Sequence, residues 1–432
     1  MSTAASARLL EDYAGIAPAL PGSAAAAARR LAAVEALAAV GLPSSRDENW
    51  KYASLRPLER QRFAPVDAAA AADARQLPAD LPAPLAGTAR YVFLDGVRVP
   101  AACAARPPAR AEVRALADTT FAGARHNLAG DERLALLNRA FANDGLAIRV
   151  LPGDEPVQLE LLFVASADAE EGASYPSVAV QVEPGARLLL IERHVSAAAA
   201  ASFIGSAVSV DLGRGASLEH YRLQELNARS ILFDTLSANV GTEARYRLHA
   251  IGTGAQAARS TLLVCLNGER AELTLACAAL GDRQQVQDTY AAVEHAAPNA
   301  RTEQIFRGIA AGRARVAFNG KIVVTAGARG TDSRQSLRGL LAGPEAEIDV
   351  RPQLEIYTDE VRCSHGATAG KLDDDMLFYL LSRGLDRDSA QRLLKWAFLE
   401  DVIARITLPA LRRQIEEHLT AALHDDTLRE LL

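Results

Sequence analysis

The chain changes its pattern of hydrophobic and polar residues near residue 150. Before that point, apolar residues recur at helical spacing in "AAAAARRLAAVEALAAV", which Ser23 can cap and Gly41 can end. A second helical segment, "DERLALLNRAFAND", begins at Asp131. The pattern therefore predicts an N-terminal helical region over residues 1–150.

Three segments of this region are not helical. The mixture of Ala, Pro and Asp from Ala64 to Pro84 is typical of a linker. "ARYVFLDGVRVP" predicts a short hairpin that turns at Asp95-Gly96. In "DENWKYASL", Trp50 has two interpretations: an aromatic anchor that holds a loop against the domain, or a surface on which a ligand stacks.

After residue 150, alternating strands replace helical periodicity, and a unit of strand, polar corner, alanine and second strand recurs. The corner alanines are Ala186, Ala216, Ala244 and Ala271, with fainter copies around Ala314 and Ala346. The first four lie 27 to 30 residues apart, a period typical of solenoids, whose repeats bury their apolar faces by stacking. We therefore expect a mainly β fold with a parallel β-helix over residues 151–370. Because the period slips, a β-sandwich stays open as an alternative.

The last segment, residues 371–432, is predicted to be helical again. Acidic residues begin "DDDMLFYLLSRG", where they favour the helix dipole, and Asp386 can cap the next helix. The second helix carries an apolar stripe at helical spacing: Ala390, Leu393, Leu394, Ala397, Phe398 and Val402. Such a stripe either packs against its own chain or faces a partner, and the pattern leaves both interpretations open.

Composition narrows the class of protein. With 47 basic and 53 acidic residues, the net charge of −6 argues against a nucleic-acid-binding protein. The four cysteines are scattered without a CxxC pair, which indicates neither a disulfide framework nor a zinc knuckle. We find no signal peptide and no apolar run long enough to cross a membrane, so we expect a soluble cytoplasmic protein.

The strongest candidate chemistry lies in "EVRCSHGAT". On an extended strand, Cys363 and His365 point to the same face, and both side chains can bind a soft or borderline metal ion. Two side chains do not complete a metal site, so further ligands must come from elsewhere in this chain or from another chain. Asp373 and the two aspartates after it are better explained as a helix cap, and no motif predicts a catalytic residue.

Three segments resemble one known family. The stretch from "PQLEIYTDEVRCSHGAT" through "FYLLSRGLDRDSAQRLLKWAFLEDV" is similar to the C-terminal signature of the SufB/SufD family of iron–sulfur cluster assembly proteins. "DENWKYASL" resembles the N-terminal signature of the SufD branch, and "EHAAPNARTEQIFRGIAAGRARVAFNGKIVV" resembles the central region of the family. SufB typically has a cysteine at the position of Leu380, and another in the stretch that aligns with "TDSRQSLRGLL", which has none here.

The resemblance implies a fold, partners and a site. The fold is a right-handed parallel β-helix between two helical regions, and the function is a non-catalytic SufD-type role in the SufBCD assembly complex. SufB would pair through the β-helix. The ATPase SufC would bind the C-terminal helices, at a surface formed by Leu393, Leu394, Trp396, Ala397 and Phe398. His365, with Cys363 beside it, would contribute ligands to a nascent iron–sulfur cluster that forms transiently at the SufB interface, while the isolated chain would hold no stable cofactor.

Two other functional classes remain as alternatives. A carbohydrate-active lyase or hydrolase can also be built on a β-helix, although such enzymes are usually exported and line a groove with aromatic residues. Only 5% of the residues in this chain are aromatic, which weighs against that class. A homodimer formed by the chain in isolation is the second alternative.

Overall fold

A computed structural model describes residues 4–53, 55–66, 77–118, 131–166 and 170–423. The predicted linker lies partly outside the described residues, which omit 67–76. The described helices are α1 (Ala4–Ile16), α2 (Ala24–Val40), α3 (Arg56–Arg60), α4 (Arg133–Phe141), α5 (Asp374–Ser382), α6 (Arg387–Ile403) and α7 (Pro409–Ala422). The described strands are β1 (Ala64–Pro65), β2 (Ala89–Leu94), β3 (Val97–Arg98), β4 (Ala111–Ala115), β5 (Gly145–Val150), β6 (Val157–Ala165), β7 (Gly172–Ser174), β8 (Ser177–Val182), β9 (Arg187–Ser196), β10 (Ser202–Leu212), β11 (Ser217–Glu225), β12 (Ile231–Val240), β13 (Arg245–Gly252), β14 (Ala257–Leu266), β15 (Glu272–Gly281), β16 (Val286–His295), β17 (Arg301–Ala310), β18 (Arg315–Val324), β19 (Thr331–Leu341), β20 (Glu347–Ile356) and β21 (Val361–Gly370).

The strands wind into a solenoid of two facing sheets. From β8 onward, even-numbered strands pair in parallel in one sheet (sheet A) and odd-numbered strands pair in parallel in the other (sheet B). Each coil therefore contributes one strand to each sheet, and about seven turns stack along the axis. The predicted parallel β-helix is confirmed. The sandwich alternative is wrong, because neighbouring strands in each sheet belong to successive coils.

The corner alanines explain how the coils stack so closely. Ala186, Ala216, Ala244 and Ala271 are at most 1% exposed, and each lies between an even strand and the next odd strand. Ala300 continues this column with 0% exposure. The prediction was wrong for Ala314 and Ala346, which lie at the opposite edge, between odd and even strands. Their sequence context resembles the first column because every strand in the solenoid ends at a similar tight corner.

The predicted hairpin forms but also belongs to the solenoid. Strands β2 and β3 pair antiparallel around Asp95-Gly96, and β2 also pairs in parallel with β6 of sheet B. Likewise β5 pairs in parallel with β8 of sheet A. Strand pairing therefore begins before residue 151, the residue at which the sequence pattern predicted the β-helix to start.

Apolar side chains fill the lumen between the sheets, and helices cover both outer faces. Ser23 caps α2 as predicted, its Oγ accepting a hydrogen bond from the Ala26 amide at 3.4 Å. Trp50 is 1% exposed and packs edge-on against Phe233 of sheet A, with the Arg259 guanidinium 4.6 Å from its ring centre. These contacts make Trp50 an anchor for the N-terminal region.

The C-terminal helices cover the outer face of sheet B. The structure confirms two predicted helices, α5 and α6, and adds α7, which the sequence pattern did not distinguish. Asp386 caps α6 as predicted, accepting a hydrogen bond from the Ser389 amide at 2.9 Å. No helix within the described parts of the chain is long and apolar enough to cross a bilayer.

Candidate functional site

Cys363 and His365 lie on the last strand of the solenoid, β21. Strand β21 pairs with β19 without a bulge, and this register places Cys363 beside Ser333 and His365 beside Gln335. Because Cys363 packs against the lumen core, the alternation of the strand turns His365 toward the lumen side as well. The two side chains share a face, as the sequence pattern predicted.

The end of the solenoid at β21 is open. In the part of the chain that the structure describes, β20 and β21 are the last strands of their sheets, and each pairs along one edge only. His365 is exposed and Cys363 is partly exposed, whereas their neighbours on β19 are buried. An uncovered edge carries unpaired backbone donors and acceptors and can pair with another chain. The candidate ligands therefore lie on the edge strand of sheet B, where His365 is accessible to solvent.

The environment of Cys363 keeps its thiol protonated. Burial raises the pKa of Cys363, and the nearby carboxylate of Asp332 raises it further. A thiol of this kind is a poor nucleophile on its own and becomes a good ligand once a metal ion displaces its proton. The raised pKa thus argues against Cys363 as a catalytic nucleophile.

The ligand set is incomplete within this chain. Among the described residues, no group of three or more His, Cys, Asp or Glu side chains is arranged to hold a metal ion. The three consecutive aspartates do not change this. Asp373 caps α5 by accepting hydrogen bonds from the amides of Asp375 and Met376 at 2.9 and 3.0 Å.

The predicted partner surface on α6 divides into a buried and an accessible part. Trp396 is 7% exposed and packs in the core beneath the C-terminal helices, where Leu393 and Phe398 also make contacts. Leu394 is half-buried, and Ala397 is exposed. The stripe on α6 therefore packs largely against its own chain, so the partner-binding prediction rests mainly on Leu394 and Ala397.

A larger apolar surface lies on α5, which sequence reasoning missed. Met376, Phe378 and Tyr379 are 59%, 73% and 56% exposed. On the open end of the solenoid, Tyr357 is 63% exposed and Ile356 is 40% exposed. The sequence contains a signal for this apolar surface. A helix that packs on one side needs only an apolar stripe, but "MLFYLL" is apolar around the whole helix, so some of its apolar side chains must face outward.

Sequence reasoning also missed a buried ionic network inside the lumen. The Glu192 carboxylate accepts hydrogen bonds from Arg222 at 2.8 Å, from His194 at 3.1 Å and from His220 at 3.2 Å. Arg222 also pairs at 2.5 Å with Asp234, which belongs to the opposite sheet. Strand alternation could have found this network, because these residues occupy inward positions in line with leucines.

The network fixes its own charge states. Burial alone would raise the pKa of Glu192, but Arg222 and the two histidines outweigh burial and hold the pKa well below its usual value. Burial lowers the pKa of His220, and the hydrogen bond to Glu192 opposes that shift only in part. The carboxylate is therefore ionised, and Arg222, which pairs with both Glu192 and Asp234, ties the two sheets together across the lumen.

Comparison with known proteins agrees with this architecture. Residues 163–398 match the family model described as "SUF system FeS cluster assembly, SufBD core domain". The chain is 30% identical over 396 residues to the iron–sulfur cluster assembly protein SufD of Escherichia coli (strain K12), covering 88% of this chain and 89% of that protein. It is 28% identical over 412 residues to an iron–sulfur cluster assembly SufBD family protein of Synechocystis, covering 90% of this chain and 89% of that protein.

Proposed function

We propose that this chain, which belongs to the SufBD family of iron–sulfur cluster assembly proteins, is the SufD-type subunit of a SufBCD complex and pairs with SufB. The relatives are named as assembly proteins, which fits a non-catalytic role. The observation that carries the proposal is the open last coil, which leaves His365 exposed at the end of an otherwise buried lumen.

Pairing would complete both the fold and the ligand set. A β-helix of the partner that meets β20 and β21 would cover the exposed coil and bring its own side chains toward His365. The nascent cluster is the cargo of this site: His365 and Cys363 would supply one part of its ligands and SufB the rest. An incomplete ligand set is what one half of an interfacial site requires.

The C-terminal helices would bind the ATPase SufC. The predicted surface on α6 would contribute through Leu394 and Ala397, its accessible residues, and α5 would contribute its exposed apolar side chains. Because α6 is anchored to sheet B through Trp396, movement of the ATPase would be transmitted to the solenoid. We expect the complex to assemble in the cytoplasm.

The test of the site is His365→Ala in cells that depend on this complex. We expect the complex to assemble and the activity of an iron–sulfur reporter enzyme to fall at least about 10-fold, because a ligand is lost. Ser364→Ala is the matched control, since Ser364 is the neighbouring residue whose side chain points to the opposite face. Normal reporter activity in the His365 variant would rule out the ligand role.

A further inference from the structure

The lumen becomes polar in the coils nearest the open end. Two rows of inward side chains run along sheet B and finish at the candidate ligands. One row is Leu159, Leu190, His220, Leu248, Leu275, Gln304, Gln335 and His365, and the other is Val157, Leu188, Leu218, Tyr246, Leu273, Thr302, Ser333 and Cys363. In both rows, the last three positions are polar, although those on β17 and β19 are at most 4% exposed.

The two glutamines form a ladder that leads to His365. The Gln335 side chain donates hydrogen bonds through Nε2 to Gln304 Oε1 at 2.8 Å and to the Gly320 carbonyl at 2.9 Å. Gly320 lies across the lumen on sheet A, and a Cβ there would lie 2.8 Å from both amides. The opposite sheet therefore makes room for the ladder.

The ladder leaves an acceptor without a partner. Among the described residues, Gln335 Oε1 has no hydrogen-bond partner, and the same is true of Gln304 Nε2 and of Ser333 Oγ beneath Cys363. A buried polar atom without a partner destabilises the folded chain, because it loses its hydrogen bonds to water and gains none in return. The earlier polar residues of these rows differ, because the His220 Nδ1 and Tyr246 hydroxyl are hydrogen-bonded to each other at 3.1 Å. A leucine in place of Gln335 would avoid this cost, and the same row does have a leucine, Leu275, two coils earlier.

We propose that Gln335 is a positioning residue for His365. Its Oε1 accepts the N–H of one imidazole nitrogen, which fixes the tautomer and directs the lone pair of the other nitrogen toward the open end. The two residues are paired on adjacent strands, whose spacing is about 4.8 Å, so a side-chain hydrogen bond between them is within reach. Histidines that bind metals usually donate their second ring N–H to an oxygen in this way. This inference rests on the proposed ligand role of His365.

The test measures the tautomer of His365 directly. In the full chain labelled with ¹⁵N-histidine, His365→Ala assigns the resonances, and the wild-type protein is expected to show one protonated and one unprotonated ring nitrogen at His365. Gln335→Met keeps the length of the side chain and removes the acceptor, so we expect averaged nitrogen resonances from exchanging tautomers. In cells, this variant should lower the activity of an iron–sulfur reporter about 10-fold.

Gln304→Met is the matched control, because it changes the same row one coil further from His365. Gln335 keeps its hydrogen bond to the Gly320 carbonyl in that variant, so the wild-type tautomer should persist. A single tautomer in Gln335→Met would overturn the inference, and so would equal averaging in both variants. These results are independent of the ligand role itself, which fails only if His365→Ala leaves the reporter unchanged.

Discussion

At the scale of single residues, Glu192 is a fully buried charge at the centre of the lumen network. It is 0% exposed, and Arg222 and two histidines surround its carboxylate. Glu192→Gln should lower the apparent free energy of unfolding by about 3 kcal/mol. This is the lower end of the range for a broken buried ion pair, because Asp234 still neutralises Arg222. Urea denaturation followed by circular dichroism measures the change.

A surface ion pair supplies the control for this prediction. Glu243 pairs with Arg270 at 2.5 Å, and their side chains are 47% and 53% exposed. Glu243→Gln should therefore lower the free energy of unfolding far less than Glu192→Gln does, because solvent screens an exposed pair. Equal losses in the two variants would show that the lumen network contributes no more than an exposed pair.

Two buried histidines make the stability depend on pH. Burial lowers the pKa values of His249 and His295 to about 4. The unfolded chain, with an ordinary histidine pKa of about 6.5, therefore binds protons first as the pH falls. The stability that these groups contribute is complete above about pH 6.5 and is lost toward pH 4, at up to about 1.4 kcal/mol per pH unit for each histidine.

His295→Gln checks this dependence. The glutamine amide can keep a hydrogen bond to Thr302, which now lies 2.8 Å from the imidazole, but it does not titrate. Unfolding measured between pH 7 and pH 4.5 should show a shallower loss of stability in the variant than in the wild-type protein. Parallel pH curves for the two proteins would contradict the assignment.

At the scale of helices and strands, the exposed face of α5 should bind the ATPase. Met376→Glu combined with Phe378→Glu places two charges on side chains that are more than half exposed and touch little of their own chain. We expect loss of ATPase co-purification, because an apolar contact is replaced by two buried charges, with little change in melting temperature. Trp396→Glu provides the contrast, because its buried side chain should make the C-terminal helices unfold locally.

Comparison of the α5 double variant with Trp396→Glu separates an effect on ATPase binding from an effect on folding. If the α5 double variant still retains the ATPase, the partner surface must lie elsewhere on the C-terminal helices. Protection of α6 amides from hydrogen exchange should be lost only in Trp396→Glu. Loss of that protection in the α5 variant would mean that its effect on binding was an effect on folding.

Most elements could be predicted from local pattern, whereas their packing could not. Alternation and repeating corners predicted the strands, and cap residues such as Ser23 and Asp386 predicted helix starts. Ala314 was assigned to the wrong edge because both edges of a solenoid have similar corner chemistry. The burial of Trp396 was not predictable, because an apolar stripe looks the same whether it meets its own chain or another.

Local pattern also predicted part of the candidate site. Strand alternation correctly placed Cys363 and His365 on one face. The polar ladder beneath them escaped notice, because Gln304 and Gln335 look like solvent-facing residues until the register shows that they point into the lumen.

At the scale of the whole molecule, the open end of the solenoid is the surface where we expect SufB to pair. Ile356 and Tyr357 are 40% and 63% exposed at the end of β20. Ile356→Lys with Tyr357→Glu should abolish pairing with SufB in co-expression, because the substitutions charge an apolar part of the interface. The melting temperature of the isolated chain should hardly change, since both side chains already face solvent.

Leu31 and Val40 on α2 provide the matched control, because they are 52% and 58% exposed and lie on the N-terminal region. Leu31→Lys with Val40→Glu adds the same charges to a similar apolar area, so a general loss of solubility would affect both double variants alike. Mass measurement of the purified assemblies distinguishes the cases. If a complex forms with the open-end variant but not with the α2 variant, the SufB interface lies on the helical side of the molecule. His365 would then have no partner to complete its ligand set.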